Sequence, residues 1–321
     1  MTGAAASPIR IGTRGSDAAV RRAKLVQTSL RERGIESELH LMKTVGDKKL
    51  DEAVNAVAVG RFTAELEKAL RAKKVDCCVH ELDVLPVVLA DALEIAAVLP
   101  RDDPRDVLVV NDRIAVESLE DLPRGSRVAA FTFRRRAQLL HLRSDIEIVE
   151  LRGDAATRLH KVDDGSAHAA IFSAATLMRL GVHQRIDLWL EPPDWLPAAG
   201  QGAAAIEIRA GDDRMRELLA PLNHEPTSRA VRAERAFVAA LGDGMQLPIA
   251  ALATEVDGVL RLDGLVADAR GRRMLRADAI VDAEDAARSG TRLAYDLIDR
   301  GAAELLAGVK RLERVPTPQP E

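Results

Sequence analysis

Arginine is the residue from which chemistry can be argued in this chain. Of its 46 basic side chains only nine are lysine and 37 are arginine. A guanidinium presents a planar fork of donors that matches carboxylates and phosphates. Several arginines stand where strand-like segments turn into helices. Arg14 follows Ile9-Arg10-Ile11-Gly12, Arg134, Arg135 and Arg136 open a helix after a strand, and Arg152 and Arg158 flank Gly153 between a strand and the next helix. In α/β sheets such strand ends line the ligand crevice, and helix N-termini add N–H donors and positive dipole for anions. Ser16 and Thr132 would add hydroxyls at the same edges. The set suits a ligand bearing several carboxylates or phosphates, although the spacing alone fits solvated arginines equally well. Gly200-Gln201-Gly202 would let a chain crossing approach a ligand closely, but a lone GxG is a weak signal.

Other chemistries find little support. No metal-ligand spacing, P-loop, GxGxxG or GxSxG appears, and no metal is expected. Cys77 and Cys78 are adjacent, which in a strand turns them to opposite faces and suits neither a disulfide nor a shared metal. Acids number 50 against 46 bases, a net charge of −4, so no global field draws the protein to nucleic acid or membrane. Five Phe, two Trp and one Tyr are few for a base-stacking platform. The start of the chain lacks a signal-peptide pattern and no apolar run reaches membrane-spanning length. A cytoplasmic protein is expected, with a small polycarboxylate ligand as its partner and no nucleic acid or membrane.

The elements that would position these residues alternate between strand and helix, which argues for an α/β protein. Strands are expected at 9–12, 38–44, 75–82 and 93–99, with helices from Ser16 or Asp17 to Gly34 and from Phe62 to Lys73. The charged, Pro-broken Arg101 to Asp106 reads as a hinge. Beyond it the pattern restarts, with strands at 107–110, 127–130, 147–151 and 169–172 and helices near 134–142 and 157–163. Pro192, Pro193 and Pro197 interrupt it again. A helix over 228–241, three strands at 249–253, 259–266 and 277–281, and one long helix over 283–307 complete the chain.

At these same segments the chain resembles porphobilinogen deaminase, also called hydroxymethylbilane synthase. The matching stretches include Ile11-Gly12-Thr13-Arg14-Gly15-Ser16, Gly60-Arg61-Phe62-Thr63-Ala64-Glu65-Leu66, Arg134-Arg135-Arg136-Ala137-Gln138-Leu139, Arg152-Gly153-Asp154-Ala155-Ala156-Thr157-Arg158-Leu159 and Leu196-Pro197-Ala198-Ala199-Gly200-Gln201-Gly202-Ala203. The resemblance implies three domains: two hinged lobes like those of type II periplasmic binding proteins, and a small C-terminal α+β domain with a three-stranded sheet. Their expected extents are 1–100 with 198–221, 101–197, and 222–314, followed by a frayed tail at 315–321. It also implies an enzyme that joins four porphobilinogens with loss of ammonia, extending a dipyrromethane cofactor held by a cysteine thioether. Each porphobilinogen carries an acetate and a propionate, so arginines are a natural lining. Arg14, Ser16, Arg134, Arg135, Arg152 and Arg158 fall on acid-binding family positions.

The departures are chemical. The family reads His-Ser-x-Lys-Asp-x-Pro where this chain has His80-Glu81-Leu82-Asp83-Val84-Leu85-Pro86. The catalytic aspartate aligns with Val84, which has no charge to offer a developing cation. Asp83 takes the lysine place, and a one-residue slip in an extended segment would turn it to the other face. The cofactor cysteine aligns with Met245, whose thioether lacks an ionisable S–H, and a further family lysine has become Val59. The expectation is therefore a divergent member with no dipyrromethane cofactor. It would bind a pyrrole or other polycarboxylate, either as an enzyme of altered chemistry using Asp83 or Glu81 or as a pseudoenzyme. The alternative is an active hydroxymethylbilane synthase.

Overall fold

The computed structural model describes residues 7–48, 60–242 and 246–312. Val59, Met245 and the 315–321 tail lie outside the described residues.

The chain begins β1 (Ile9–Arg14), α1 (Asp17–Arg31), β2 (Ser37–Met42), α2 (Val45–Lys48), α3 (Ala64–Arg71), β3 (Cys77–Glu81), β4 (Leu93–Val98). Ala23, Val26 and Leu30 recur at helical spacing on α1 and are buried there against Ile11 and Val79. The chain then crosses to β5 (Asp106–Val110), β6 (Arg127–Ala129), α4 (Phe133–Leu142), β7 (Glu147–Val149), α5 (Ala155–Asp163), β8 (Ala169–Ser173), α6 (Ala174–Leu180) and β9 (Leu188–Leu190). It returns through β10 (Ala204–Arg209) and α7 (Asp213–Leu219), and finishes with α8 (Glu225–Leu241), β11 (Ile249–Val256), β12 (Val259–Ala267), β13 (Met274–Ile280), α9 (Ala286–Asp299) and α10 (Ala302–Leu312).

Two five-stranded sheets result, ordered β2-β1-β3-β10-β4 and β7-β6-β8-β5-β9. In each, four strands run in one direction, and the strand arriving from the other lobe, β10 or β5, is antiparallel to its neighbours. The two crossings lie side by side, with the Asp102 amide donating to the Gly202 carbonyl at 3.0 Å. Gly202 has φ +81° and a Cβ there would sit 2.8 Å from the Asp102 carbonyl oxygen. The glycines of Gly200-Gln201-Gly202 thus serve the approach of chain to chain.

A three-stranded antiparallel sheet, β11-β12-β13, forms the small C-terminal unit with α8, α9 and α10 around Phe237, Leu262 and Leu293. The single closing helix expected over 283–307 is two helices. Gly301, at φ +99°, breaks it, because a left-handed residue cannot continue a right-handed helix.

Candidate functional site

A cavity of about 250 Å³ lies where the two lobes and the start of the C-terminal unit meet. Lobe one contributes Phe62, Asp83 and Val84. Lobe two contributes Phe131 to Arg135, Arg158, Phe172, Ser173 and Thr176, and the return crossing adds Ala198 and Gln201. Gln246 and Ile249 close one side.

The guanidinium groups of α4 are held from behind. Thr132 caps the helix, its hydroxyl accepting the Arg135 amide at 3.2 Å. Arg134 donates to Asp106 Oδ2 at 2.5 Å and to the Leu196 carbonyl at 2.9 Å. Arg135 donates through Nε and Nη2 to Asp106 Oδ1, at 3.1 and 2.7 Å. Trp195 Nε1 and Gln201 Nε2 also donate to Asp106, at 2.8 and 2.9 Å. Burial alone would raise the acid's pKa, but the two arginines overcome it and hold Asp106 well below the usual carboxylate range. Two arginines share one carboxylate, so the pair keeps a net positive charge.

Arg158 differs. It makes no ion pair among the described residues. Its Nε donates to the Asp154 carbonyl at 3.3 Å, and its guanidinium carbon lies 5.0 and 5.2 Å from the ring centres of Phe131 and Phe172. Burial, then the neighbouring charge of Arg135, pull its pKa down to about 10, with the charge of Asp154 opposing them only in part. A cation unsatisfied in this way favours an anion beside it.

Asp83 stands on the same cavity. β3 ends at Glu81, and residues 82–84 form a turn in which the Val84 amide donates to the Glu81 carbonyl at 3.3 Å. Strand alternation does not apply beyond Glu81, so Asp83 and Val84 both line the cavity, against the expectation that a one-residue slip would turn Asp83 away. Burial and then Glu81 push the Asp83 carboxyl up to about 6, opposed by Arg179, Arg135 and Arg134.

Other sequence candidates lie elsewhere. Glu81 sits 3.3 Å from both Arg22 and Arg179, two arginines that also hold Asp102. It is a structural acid and does not line the cavity. Arg14 is tied to Asp47, with Nε to Oδ1 at 3.1 Å, and lies 4.3 Å from the Phe62 ring centre. Ser16 is exposed at the N-cap of α1. Arg152 is exposed, and its carbonyl accepts from Lys161. Of the seven acid-binding candidates, Thr132, Arg134, Arg135 and Arg158 reach the cavity.

The sequence reading missed three features. Asp106 was signalled by an acid heading the wholly apolar run Val107–Val110. Gln201 had the glycines beside it as its only mark. Most consequentially, four of the five phenylalanines, Phe62, Phe131, Phe133 and Phe172, line this cavity. Aromatic scarcity over the whole chain hid an aromatic concentration in one place.

The fold and site define a two-lobed α/β protein with a cationic, aromatic-walled cavity at the junction of its lobes. Residues 9–217 match the family model described as porphobilinogen deaminase, dipyromethane cofactor binding domain, and residues 228–299 match its C-terminal domain. The chain belongs to the porphobilinogen deaminase family, whose place is in tetrapyrrole biosynthesis. It is 42% identical over 306 residues to the porphobilinogen deaminase of Syntrophobacter fumaroxidans, covering 94% of this chain and 98% of that one. It is 44% identical over 305 residues to that of Moorella thermoacetica, covering 94% and 96%. Among solved structures it is similar to a Salmonella typhimurium periplasmic binding protein, at 13% identity and a TM-score of 0.39, covering 70% of this chain and 94% of that one. That last likeness is too slight to argue from.

The family match corrects one expectation. The absence of a dipyrromethane cofactor, argued from Met245, is overturned because the matched domain is the one that binds it. The residues present suit the group's acids and rings: Arg158 offers a half-buried guanidinium without an ion pair among the described residues, and the phenylalanines offer flat apolar walls. Among the described residues no helix is long and apolar enough to cross a membrane.

Proposed function

We propose that the cavity binds acidic pyrroles of the porphobilinogen type and that Asp83 is the carboxylate that faces them. The observation that carries this reading is the unpaired Arg158 guanidinium between two phenylalanine rings. A pyrrole bearing acetate and propionate supplies both the missing counter-charge and a flat ring to fill the walls. Arg158 holds one acid group, and the net positive charge of the Arg134–Arg135–Asp106 cluster draws a second. Phe131, Phe133 and Phe172 exclude water, which strengthens each of these contacts. Dipyrromethane, when bound, supplies the pyrrole position to which further units add.

Val84 in place of the aligned aspartate argues for binding without turnover. Asp83 on the same wall argues for turnover, since a carboxylate there stabilises a cationic pyrrole as ammonia leaves. We therefore favour a transferase of altered carboxylate placement, working in the cytoplasm as a monomer. Incubation with porphobilinogen, following ammonia release and uroporphyrin formation, tests it. Release that is abolished in Asp83→Asn, with binding retained by calorimetry, is the expected result. Release unchanged in that variant removes Asp83 from the role, and absence of binding by the parent protein removes the reading altogether.

A further inference from the structure

We propose that this chain holds its dipyrromethane without a covalent bond, as an exchangeable ligand clasped by the arginines and phenylalanines of the cavity. The inference rests on the reading that the cavity takes acidic pyrroles, and it concerns how the group is retained.

A thioether to the cofactor needs a sulfur that can become a thiolate and can reach the cavity. The whole chain contains two cysteines. Both lie on β3 with no solvent exposure, and their side chains point to opposite faces of its sheet. Cys77 is packed among Ile9, Ile11 and Ile206 in one apolar cluster, and Cys78 among Leu66, Leu70 and Leu93 in another. Cys78 Sγ points to the Leu66 carbonyl at 3.6 Å, and a Cβ on Gly12 would lie only 2.8 Å from that sulfur. Neither thiol lines the cavity. Burial pushes Cys77 up to about 12 and Cys78 well above the ordinary thiol range, so both remain protonated.

The position that the family resemblance assigns to the anchor is Met245. Its sulfur already carries two carbon substituents, and a third bond would make a charged sulfonium instead of a neutral thioether. No sulfur in the chain is therefore both able to form the bond and placed to form it. What remains is non-covalent. Two porphobilinogen-derived rings carry four carboxylates, which meet Arg158 and the net charge of the Arg134–Arg135–Asp106 cluster, while Phe131 and Phe172 meet the ring faces. Retention by such contacts is reversible and depends on salt.

The test uses the full-length protein, incubated with the aminomethyl dipyrromethane that two porphobilinogens form with loss of one ammonia, and divided in two. One half is weighed by native mass spectrometry and the other after denaturation in guanidinium and desalting. The native protein should exceed its 34.7 kDa sequence mass. The denatured protein should return to that mass, with the pyrrole recovered in the filtrate by its colour with Ehrlich's reagent. Added mass that survives denaturation overturns the inference, and peptide mapping then names the residue that carries it. Absence of added mass even in the native spectrum means that the cavity takes no acidic pyrrole, and the underlying reading fails with it. Met245→Cys provides the converse. It should convert the washable ligand into one that survives denaturation. A variant that binds yet still releases everything overturns the assignment of position 245 as the lost anchor.

Discussion

The two lobes are built on the same strand order yet treat their arginines in opposite ways. In the first, the end of β1 presents Arg14, and Asp47 takes its charge. Arg22 is likewise met by Glu81 and Asp102. In the second, the first turn of α4 presents Arg134 and Arg135 to a single carboxylate, Asp106, and α5 adds Arg158, which makes no ion pair among the described residues and feels only the more distant charge of Asp154. Strand-to-helix junctions of a repeated topology therefore carry different electrostatics. The second lobe holds the surplus positive charge, and the first contributes the carboxylate that opposes it, Asp83. Position at a strand end makes an arginine available, and the nearby acids decide whether it stays available.

The largest effect should come from removing the acid that each lobe uses to organise its arginines. Asp106→Ala strands two buried guanidinium groups and should lose about 3–5 kcal/mol of stability, the usual result of breaking a buried pair. Asp47→Ala frees the partly exposed Arg14 and should lose about 1 kcal/mol or less. Denaturant unfolding of both variants measures the difference, and equal losses would erase the contrast between the lobes.

Next comes ligand affinity. Arg158→Ala should weaken porphobilinogen binding by about tenfold to a hundredfold, the range of a charge-assisted hydrogen bond. In Arg14→Ala the change should stay within about threefold, because Asp47 already occupies that group. Calorimetry decides, and a larger loss at Arg14 would move the binding surface to the first lobe.

A smaller effect sharpens the role of Asp83. Its carboxyl is raised to about 6, so below that pH the cavity loses a negative charge and should bind acidic pyrroles more tightly. Affinity should fall as pH rises through about 6, and Asp83→Asn should flatten that profile at its low-pH level. The sign for stability is the same. The folded form holds this proton more tightly than the unfolded chain, so the contribution is complete below about pH 4 and is lost as pH rises through about 6. Thermal melts of parent and variant between pH 4 and 8 test it, and parallel curves would refute it. Smallest of all, Arg152→Ala should leave affinity and stability unchanged within experimental error in the same two assays, since its side chain is exposed and does not reach the cavity.

Much of the fold is legible locally. The 3.6-residue spacing of Ala23, Val26 and Leu30 marks α1, and the turn chemistry before Phe133 marks α4. The break at Gly301 is less legible, because apolar spacing continues through it and only the backbone angle shows the interruption. β10 escapes a reading by alternation because Ala204 to Ile208 is buried on both faces in the middle of its sheet. Of the site, the arginine cluster after β6 and Arg158 could be read from their places at strand ends. That Arg14 and Arg152 would fall away could not.

The sequence by itself determined the family, through motifs held in order along nearly the whole chain, and it determined the α/β class, through local periodicity and turn residues. It also determined which sulfurs exist. Tertiary structure alone decided which arginine stays uncompensated, that Asp83 faces the cavity, and that four scattered phenylalanines meet there. The reason is physical. Secondary structure follows from neighbours a few residues apart, whereas charge compensation and cavity walls depend on partners such as Arg134 and Asp106, 28 positions apart, that only folding brings within reach.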